Sequence, residues 1–352
     1  MAQTDVFNKP LRLRWLLALG VLDLAAGAVA ILAIARLVPA GSGRKLVSGL
    51  AGTVCSTILT LVAAEIGFMY VSRSHGVGYT LAAKSWFKEH WHNNAAGFRE
   101  RDLTTLVASA KKKIVVIGDS FVAGHGIANP HDRFSDQLEE LSQGDWLVAN
   151  YGLNGADTRD EFQTLKNVPF RPDCIVLAYF GNDIRDAAVA AGQSPQAIVP
   201  YLDISPRLRV IVTNSYLLDF VYWAVPRQEL KSWWSYYQVV YQDPEILRLH
   251  QEDLAAFSRY ARSMGIPLVV VVFPYLHDLK ASDIYVPWVR NLFEQSGVPV
   301  LNVQDFVSDL SKAERVVNFN DIHPSKVVHR RVAEKLLPLV RDLVATPVAS
   351  KQ

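Results

Sequence analysis

Only two cysteines occur in 352 residues. Cys55 falls in a long apolar run and Cys174 in a β-branched one, so they are not expected to pair, and a fold stapled by disulfides is excluded. No Cys/His cluster has metal-ligand spacing, and no glycine loop carries a phosphate-binding lysine, so neither a metal nor a cofactor is expected. Excess charge of one sign is lacking too: 36 Lys and Arg face 34 Asp and Glu, a net +2. Without a basic stripe interleaved with aromatics, nucleic acid is not an expected partner. The lysine run Lys111–Lys113 reads as a solvated entry to the strand that follows. No internal repeat is present.

Apolar residues are plentiful, at 50% of the chain, and they come in two textures. Leu16 to Val38 is apolar apart from Asp23 and Arg36, and Leu46 to Val71 apart from Glu65. Each run exceeds the ~20 residues that cross a bilayer. The short linker between them predicts a transmembrane hairpin within residues 1–75, with spans at about 16–38 and 46–71, so the bilayer is an expected partner. Gly20, Gly27, Gly49 and Gly52 would let the two helices approach closely. Asp23 and Glu65 fall at similar depth, either hydrated near the interface or turned towards a partner protein. The second texture begins near residue 111, where short β-branched runs alternate with helical patterns.

Four blocks in this second region carry chemistry. Ile114–Phe121 (IVVIGDSF) reads as a buried strand broken abruptly by Gly118-Asp119-Ser120. A serine there sits where open α/β sheets place reactive groups. The VAGHGI that follows places Gly124 and Gly126 where backbone can pass close to a substrate. Asn150–Gly155 (NYGLNG) follows another apolar run and offers the Gly155 N–H. Cys174–Asp183 ends a third strand with the Asn182 side chain. Asn320–Pro324 (NDIHP) supplies an imidazole with a carboxylate two residues upstream. Taken singly, each block reads as a turn, a helix cap or a loop. Taken together they supply a nucleophile, a base, an orienting acid and two further donors, the inventory of acyl transfer through a serine ester.

These blocks, in this order, resemble the SGNH (GDSL-type) hydrolase family over roughly residues 90–345. The resemblance makes Ser120 the nucleophile and His323 the base, and the Ser120 N–H, Gly155 N–H and Asn182 amide the oxyanion hole. The commonest family pattern places Asp three residues before His, where this chain has Asn320; Asp321, two before, is assigned instead, a spacing found in branches that include polysaccharide O-acetylation proteins. The expected fold is a three-layer α/β/α sandwich with a mostly parallel sheet (SGNH or flavodoxin-like) over residues 111–345. A lead-in at 76–110 contains His92–Arg99 (HNNAAGFR), similar to the N-x-x-G-F-R segment of bacterial members. Residues 346–352 form a tail.

Within the domain, residues about 187–245 form an insertion rich in aromatics: Tyr216, Phe220, Tyr222, Trp223, Trp233, Trp234, Tyr236, Tyr237 and Tyr241. Such rings suit sugar stacking or a membrane interface, or form a small subdomain's own core. Beyond it a helix at about 245–263, strands at 267–273 and 298–303 with a helix near 284–296 between them, and a C-terminal helix at about 325–343 continue the pattern. The expected activity is that of a membrane-anchored serine esterase or O-acyltransferase acting on ester-bearing glycans or lipids. A lysophospholipase or thioesterase of the same fold is the near alternative. A non-catalytic scaffold that recruits a membrane acyltransferase is the distant one. Basic residues flank the spans almost evenly, and Arg73, Lys84 and Lys88 tilt the balance towards a cytoplasmic domain. Membrane-tethered members of the family commonly act on exported glycans, which implies an extracytoplasmic one, and that is the expectation here.

Overall fold

In a computed structural model the described residues are 11–37, 39, 41–195, 200–201, 203–225 and 235–345. Trp233, Trp234 and the tail 346–352 lie outside them. The chain divides into two units, one of Met1–Val71 with Arg207–Val221 and a larger one of Ser72–Pro206 with Tyr222–Gln352.

The smaller unit is built on two helices, Leu11–Leu37 and Ser42–Met69, packed against each other. Of the two expected spans, one meets the requirement among the described residues. Gly43–Met69 is long and apolar enough to cross a membrane, and the described residues of the first helix contribute the shorter apolar stretch Ala25–Leu37. The expected glycine contacts are also corrected. A Cβ at Gly20, Gly27, Gly49 or Gly52 would meet nothing within 4 Å. Small residues elsewhere make the buried seam: Ala28, Ala35, Ala51 and Cys55, with the Cys55 thiol donating to the Ala28 carbonyl at 2.8 Å. Glu65 has a structural task in this unit. Its carboxylate accepts from the Ser215 hydroxyl (2.7 Å) and the Tyr216 and Leu217 N–H groups (2.8 and 3.0 Å). It therefore caps the helix Tyr216–Ala224, whose first amides have no intrahelical acceptor. Phe68 packs on Phe220 with centroids 4.7 Å apart. Asp23 is exposed.

The larger unit is a five-stranded parallel sheet with helices on both faces. Its strands are β1 (Lys112–Gly118), β2 (Trp146–Gly152), β3 (Cys174–Tyr179), β4 (Leu268–Val272) and β5 (Val300–Asn302), in the order β2-β1-β3-β4-β5. Runs such as Ile114–Ile117 and Leu268–Val272 are apolar throughout because both faces of a parallel sheet are covered. Helices Phe134–Leu141 and Lys326–Ala345 pack together, and Pro244–Met264 packs on Thr158–Lys166, Arg185–Ala190 and Val286–Gln295. The Pro244–Met264 helix shows how local sequence sets these elements. Asp243 caps it through the Glu245 and Ile246 N–H groups, Pro244 opens it, and Gly265 ends it at φ 60°. Its buried stripe of Ile246, His250, Leu254, Phe257 and Ala261 repeats every three or four residues.

The insertion aromatics do not form one surface. Tyr237 and Tyr241 are buried in the main core, and the Tyr241 and Tyr179 hydroxyls meet at 2.5 Å. Trp223 is buried against His75 and Tyr201. A separate antiparallel hairpin, β6 (Val316–Asn318) and β7 (Asp321–Pro324), precedes the last helix.

Candidate active site

The strand order reverses at β1, so the crevice at the carboxyl ends of β1 and β3 is the switch point where such sheets receive ligands. Ser120 stands there, at the start of the one-turn helix Ser120–Ala123. Asp119 caps it, its Oδ1 accepting the Phe121 N–H at 2.8 Å. The end of β2 passes directly beneath: a Cβ on Gly152 would lie 2.1 Å from the Ala123 nitrogen, so no other residue fits. Gly124 and Gly126 are both required by the turn itself. Both have positive φ, and a Cβ at Gly126 would stand 2.6 Å from Val317 and 2.9 Å from Asp321 Oδ2.

Asp321 and His323 lie on β7 rather than in the expected loop. In a strand, residues two apart point to the same face, so the Asp-x-His spacing puts carboxylate and imidazole side by side. Asp321 Oδ1 accepts from His323 Nδ1 at 2.6 Å and from the His323 N–H at 3.2 Å. This places the ring proton on Nδ1 and leaves Nε2 as an acceptor, 2.9 Å from Ser120 Oγ. The Asp119 carboxylate is a second, weaker acceptor for that hydroxyl at 3.3 Å. Burial alone would raise Asp321, but His323, His125 and Ser74 outweigh it and hold the carboxyl well below the usual range. Asn320 instead uses its main chain, accepting from the Gly76 N–H at 2.9 Å.

The three proposed oxyanion donors follow three adjacent strands, β2, β1 and β3. Gly155 is exposed at φ +77°, with open space where a side chain would be, and its carbonyl accepts from Arg185 at 2.8 Å. The Asn182 side chain lies beside the Asp119 carboxylate and favours its ionised form. The Asp183 carbonyl accepts from the Thr158 N–H and hydroxyl, tying the loop after β3 to the segment after Gly155.

Two residues at this site, His125 and His75, carry no signal that sequence reasoning used. His125, in the VAGHGI segment, stacks on His323 with centroids 4.0 Å apart and planes 12° apart. Its Nε2–H donates to the His75 carbonyl at 3.1 Å and lies 3.6 Å from Asp321 Oδ2. Arg99, the last residue of the lead-in motif, is buried and donates to the carbonyls of Gly124 (2.7 Å), Ile127 (2.6 Å) and His90 (2.9 Å). Burial beside the Arg133 guanidinium brings it down to about 10. The lead-in therefore clamps the loop that follows Ser120. Below the loops, burial and mutual repulsion hold the carboxyls of Glu161 and Asp183 well above their usual range, with Asp119 also raised.

Among the described residues, one group of potential metal donors lies within 4.8 Å: His125, Asp321 and His323. Two of its atoms already share the 2.6 Å hydrogen bond. A cavity of about 760 Å³ at the outer edge of β2, lined by Asn94, Phe98, Glu100, Tyr151 and Phe170 among others, includes none of the five proposed site residues.

A family model described as GDSL-like lipase/acylhydrolase matches residues 116–331. No protein of curated function matches the chain in sequence. Solved structures with a similar fold include TesA (16% identity, TM-score 0.42, covering 66% of this chain and 99% of that one). Phospholipase A1 from Streptomyces albidoflavus NA297 is 12% identical with TM-score 0.41, covering 66% and 99%. A carbohydrate acetylesterase family member from Sinorhizobium meliloti is 16% identical with TM-score 0.39, covering 67% and 100%.

Proposed function

Starting from the fact that this chain belongs to the GDSL-like lipase/acylhydrolase family and is an ester-hydrolysing enzyme, we propose that Ser120 is its nucleophile, His323 its base and Asp321 the acid that orients the base. The observation that carries this reading is the continuous chain Ser120 Oγ–His323 Nε2–His323 Nδ1–Asp321 Oδ1, at 2.9 and 2.6 Å. His323 Nε2 takes the hydroxyl proton as Oγ attacks the ester carbonyl, and Asp321 holds the ring in the accepting tautomer and faces the imidazolium that forms. The oxyanion is received by the Ser120 N–H, the Gly155 N–H and the Asn182 amide, each such donor lowering the barrier by ~3 kcal/mol. The imidazolium then returns its proton to the leaving alkoxide, and the acyl-serine passes its acyl group to water or to an acceptor hydroxyl.

For substrate, the reading is an ester-bearing glycan or lipid held near a membrane, with the domain on the extracytoplasmic side and a membrane acyltransferase as the kind of partner that would supply or receive the acyl group. One helix long and apolar enough to cross a bilayer supports the tether, and a tether raises the local concentration of membrane-associated substrate.

The test is a fluorophosphonate probe on the full-length protein in detergent, followed by product analysis with acetyl, longer-acyl and polysaccharide esters. Labelling at Ser120, lost in Ser120→Ala, supports the assignment. An intact fold that never labels points to a scaffold. Acyl-sugar product in the presence of an acceptor distinguishes transfer from hydrolysis.

A further inference from the structure

His125 lies behind the base, and both of its ring nitrogens are engaged. Nε2 faces the His75 carbonyl at 3.1 Å, and a carbonyl only accepts, so Nε2 carries the proton. Nδ1 is then the acceptor and receives the Asn154 amide at 3.4 Å. His75 is fixed in turn by the Val77 N–H, which donates to its Nδ1 at 3.2 Å. Around the ring stand Phe87 in edge contact at 5.1 Å, with Trp86 and Trp91 each at 6.3 Å. The fourth side is His323 itself, parallel at 4.0 Å.

We infer that His125 is a positioning residue for this reaction, a neutral imidazole that holds the plane of His323, faces the outer oxygen of Asp321 and ties both to the loop bearing Gly155; the inference rests on the serine-hydrolase reading above. Two parallel imidazoles attract when at most one is charged and repel when both are. Burial brings His125 down to about 3, so it stays neutral when His323 takes up the serine proton. The charged and titratable groups around it are His75, Asp321 and His323, with Asp119 on the serine side of His323 and Arg99 beyond Trp86 and Trp91. His75 is likewise lowered to about 4 by burial, so neither of these two histidines adds a competing cation at neutral pH. The His125 N–H, 3.6 Å from Asp321 Oδ2, favours the ionised carboxylate without engaging Oδ1, which is reserved for His323. The strand geometry fixes where Asp321 and His323 start from the backbone. His125 fixes the remaining freedom, rotation of the base about its side-chain bonds.

The experiment is kcat and KM on p-nitrophenyl acetate across neutral pH for the full-length protein, with thermal melts of each variant. His125→Phe keeps a ring face and removes both nitrogens. It is expected to lower kcat about tenfold, the equivalent of ~1.4 kcal/mol. It should also move the acid limb of kcat/KM up by about half a unit, since a carboxylate that loses a facing N–H holds the imidazolium proton more tightly. His125→Gln keeps a donor and removes the ring face, and is expected to lower kcat by about as much with the limb nearer its original place. KM should change little in both. Asn154→Ala, at an exposed position, keeps the fold safe and is expected to lower kcat about threefold through the Nδ1 contact alone. Lower melting temperatures with kcat and the acid limb unchanged in all three variants would overturn the inference and leave His125 a packing residue. Should the wild type itself fail to label with fluorophosphonate, the underlying reading falls, and that outcome is independent of the variants.

Discussion

Asp321→Asn is the sharpest single perturbation of this site. The carboxylate is fully buried, and its Oδ1 accepts both the His323 ring N–H at 2.6 Å and the His323 main-chain N–H at 3.2 Å. Its Oδ2 faces the His125 N–H at 3.6 Å. An amide cannot satisfy this set. With its oxygen towards His323, its NH2 meets another donor at His125; with its NH2 towards His323, Nδ1 must become the acceptor. The second arrangement moves the ring proton to Nε2, where it faces Ser120 instead of accepting from it. Either way the base is lost or unsupported, and the developing imidazolium has no counter-charge. A wrong tautomer of this kind costs roughly a thousandfold to ten-thousandfold in kcat, or ~4–5.5 kcal/mol. KM and fold should be nearly unchanged. Asn320→Ala retains the main-chain bonds to Gly76 and Asn318 and should fall within about threefold of wild type. The assay is kcat and KM on p-nitrophenyl acetate with circular dichroism as the fold control. If Asn320→Ala proves the more damaging of the two, the strand-face argument for Asp321 is wrong.

Three further outcomes follow from the packing around the site. Glu161 keeps a raised affinity for its proton in the folded state, while the unfolded chain releases it above about pH 4.3; the folded state therefore binds more protons in that window and stability falls as pH rises. Glu161→Gln should melt higher than wild type by a margin that grows from acidic to neutral pH, and a margin that shrinks would reverse the sign of the argument. Arg99→Met removes the guanidinium from the carbonyls of Gly124, Ile127 and His90 and should cost ~3 kcal/mol in chemical denaturation. Arg99→Lys should rescue only part of this, since one ammonium cannot span the acceptors at Gly124, Ile127 and His90; full rescue would show that charge rather than the guanidinium fork matters. Removing residues 1–71 should leave a domain that turns over a small acetyl ester in mild detergent, whereas removing residues 1–76 should lower its kcat by about a further tenfold or more, because Ser74 faces Asp321 and His75 holds His125. Equal activity of the two truncations would mean that this segment does not support the site.

The sheet was readable because a parallel strand covered on both faces has to be apolar throughout, and Ile114–Ile117, Cys174–Tyr179 and Leu268–Val272 are. The positions of Ser120, Gly155 and Asn182 were readable for a related reason. Groups that directly follow such strands are brought to one end of the sheet by its parallel direction, whatever their separation in sequence. Asp321 and His323 come from outside that logic, on a separate hairpin, and only their mutual spacing was informative. The aromatic insertion was not readable, because ring content does not say which unit a ring joins. Phe220 clusters with Phe68 beside the N-terminal helices, while Tyr237 and Tyr241 complete the main core.

The contacts of Arg99, His75 and His125 stayed silent for a different physical reason. Arg99 acts on main-chain carbonyls up to 29 residues away, and the His75 carbonyl meets a ring 50 residues further along. Any residue at the accepting position supplies the same carbonyl, so these links leave no pairing pattern at their far ends. The only trace is at the donor: a guanidinium after a Gly-Phe pair, and a histidine held between two glycines directly after the serine turn. A glycine at 126 is needed because Val317 and Asp321 Oδ2 crowd the place of its side chain. That contact sets the hairpin carrying the base against the turn carrying the serine. The approach that forbids a Cβ at 126 thus also brings the neighbouring imidazole of His125 flat against His323. On the proposed assignment, the serine turn positions the base as well as presenting the nucleophile.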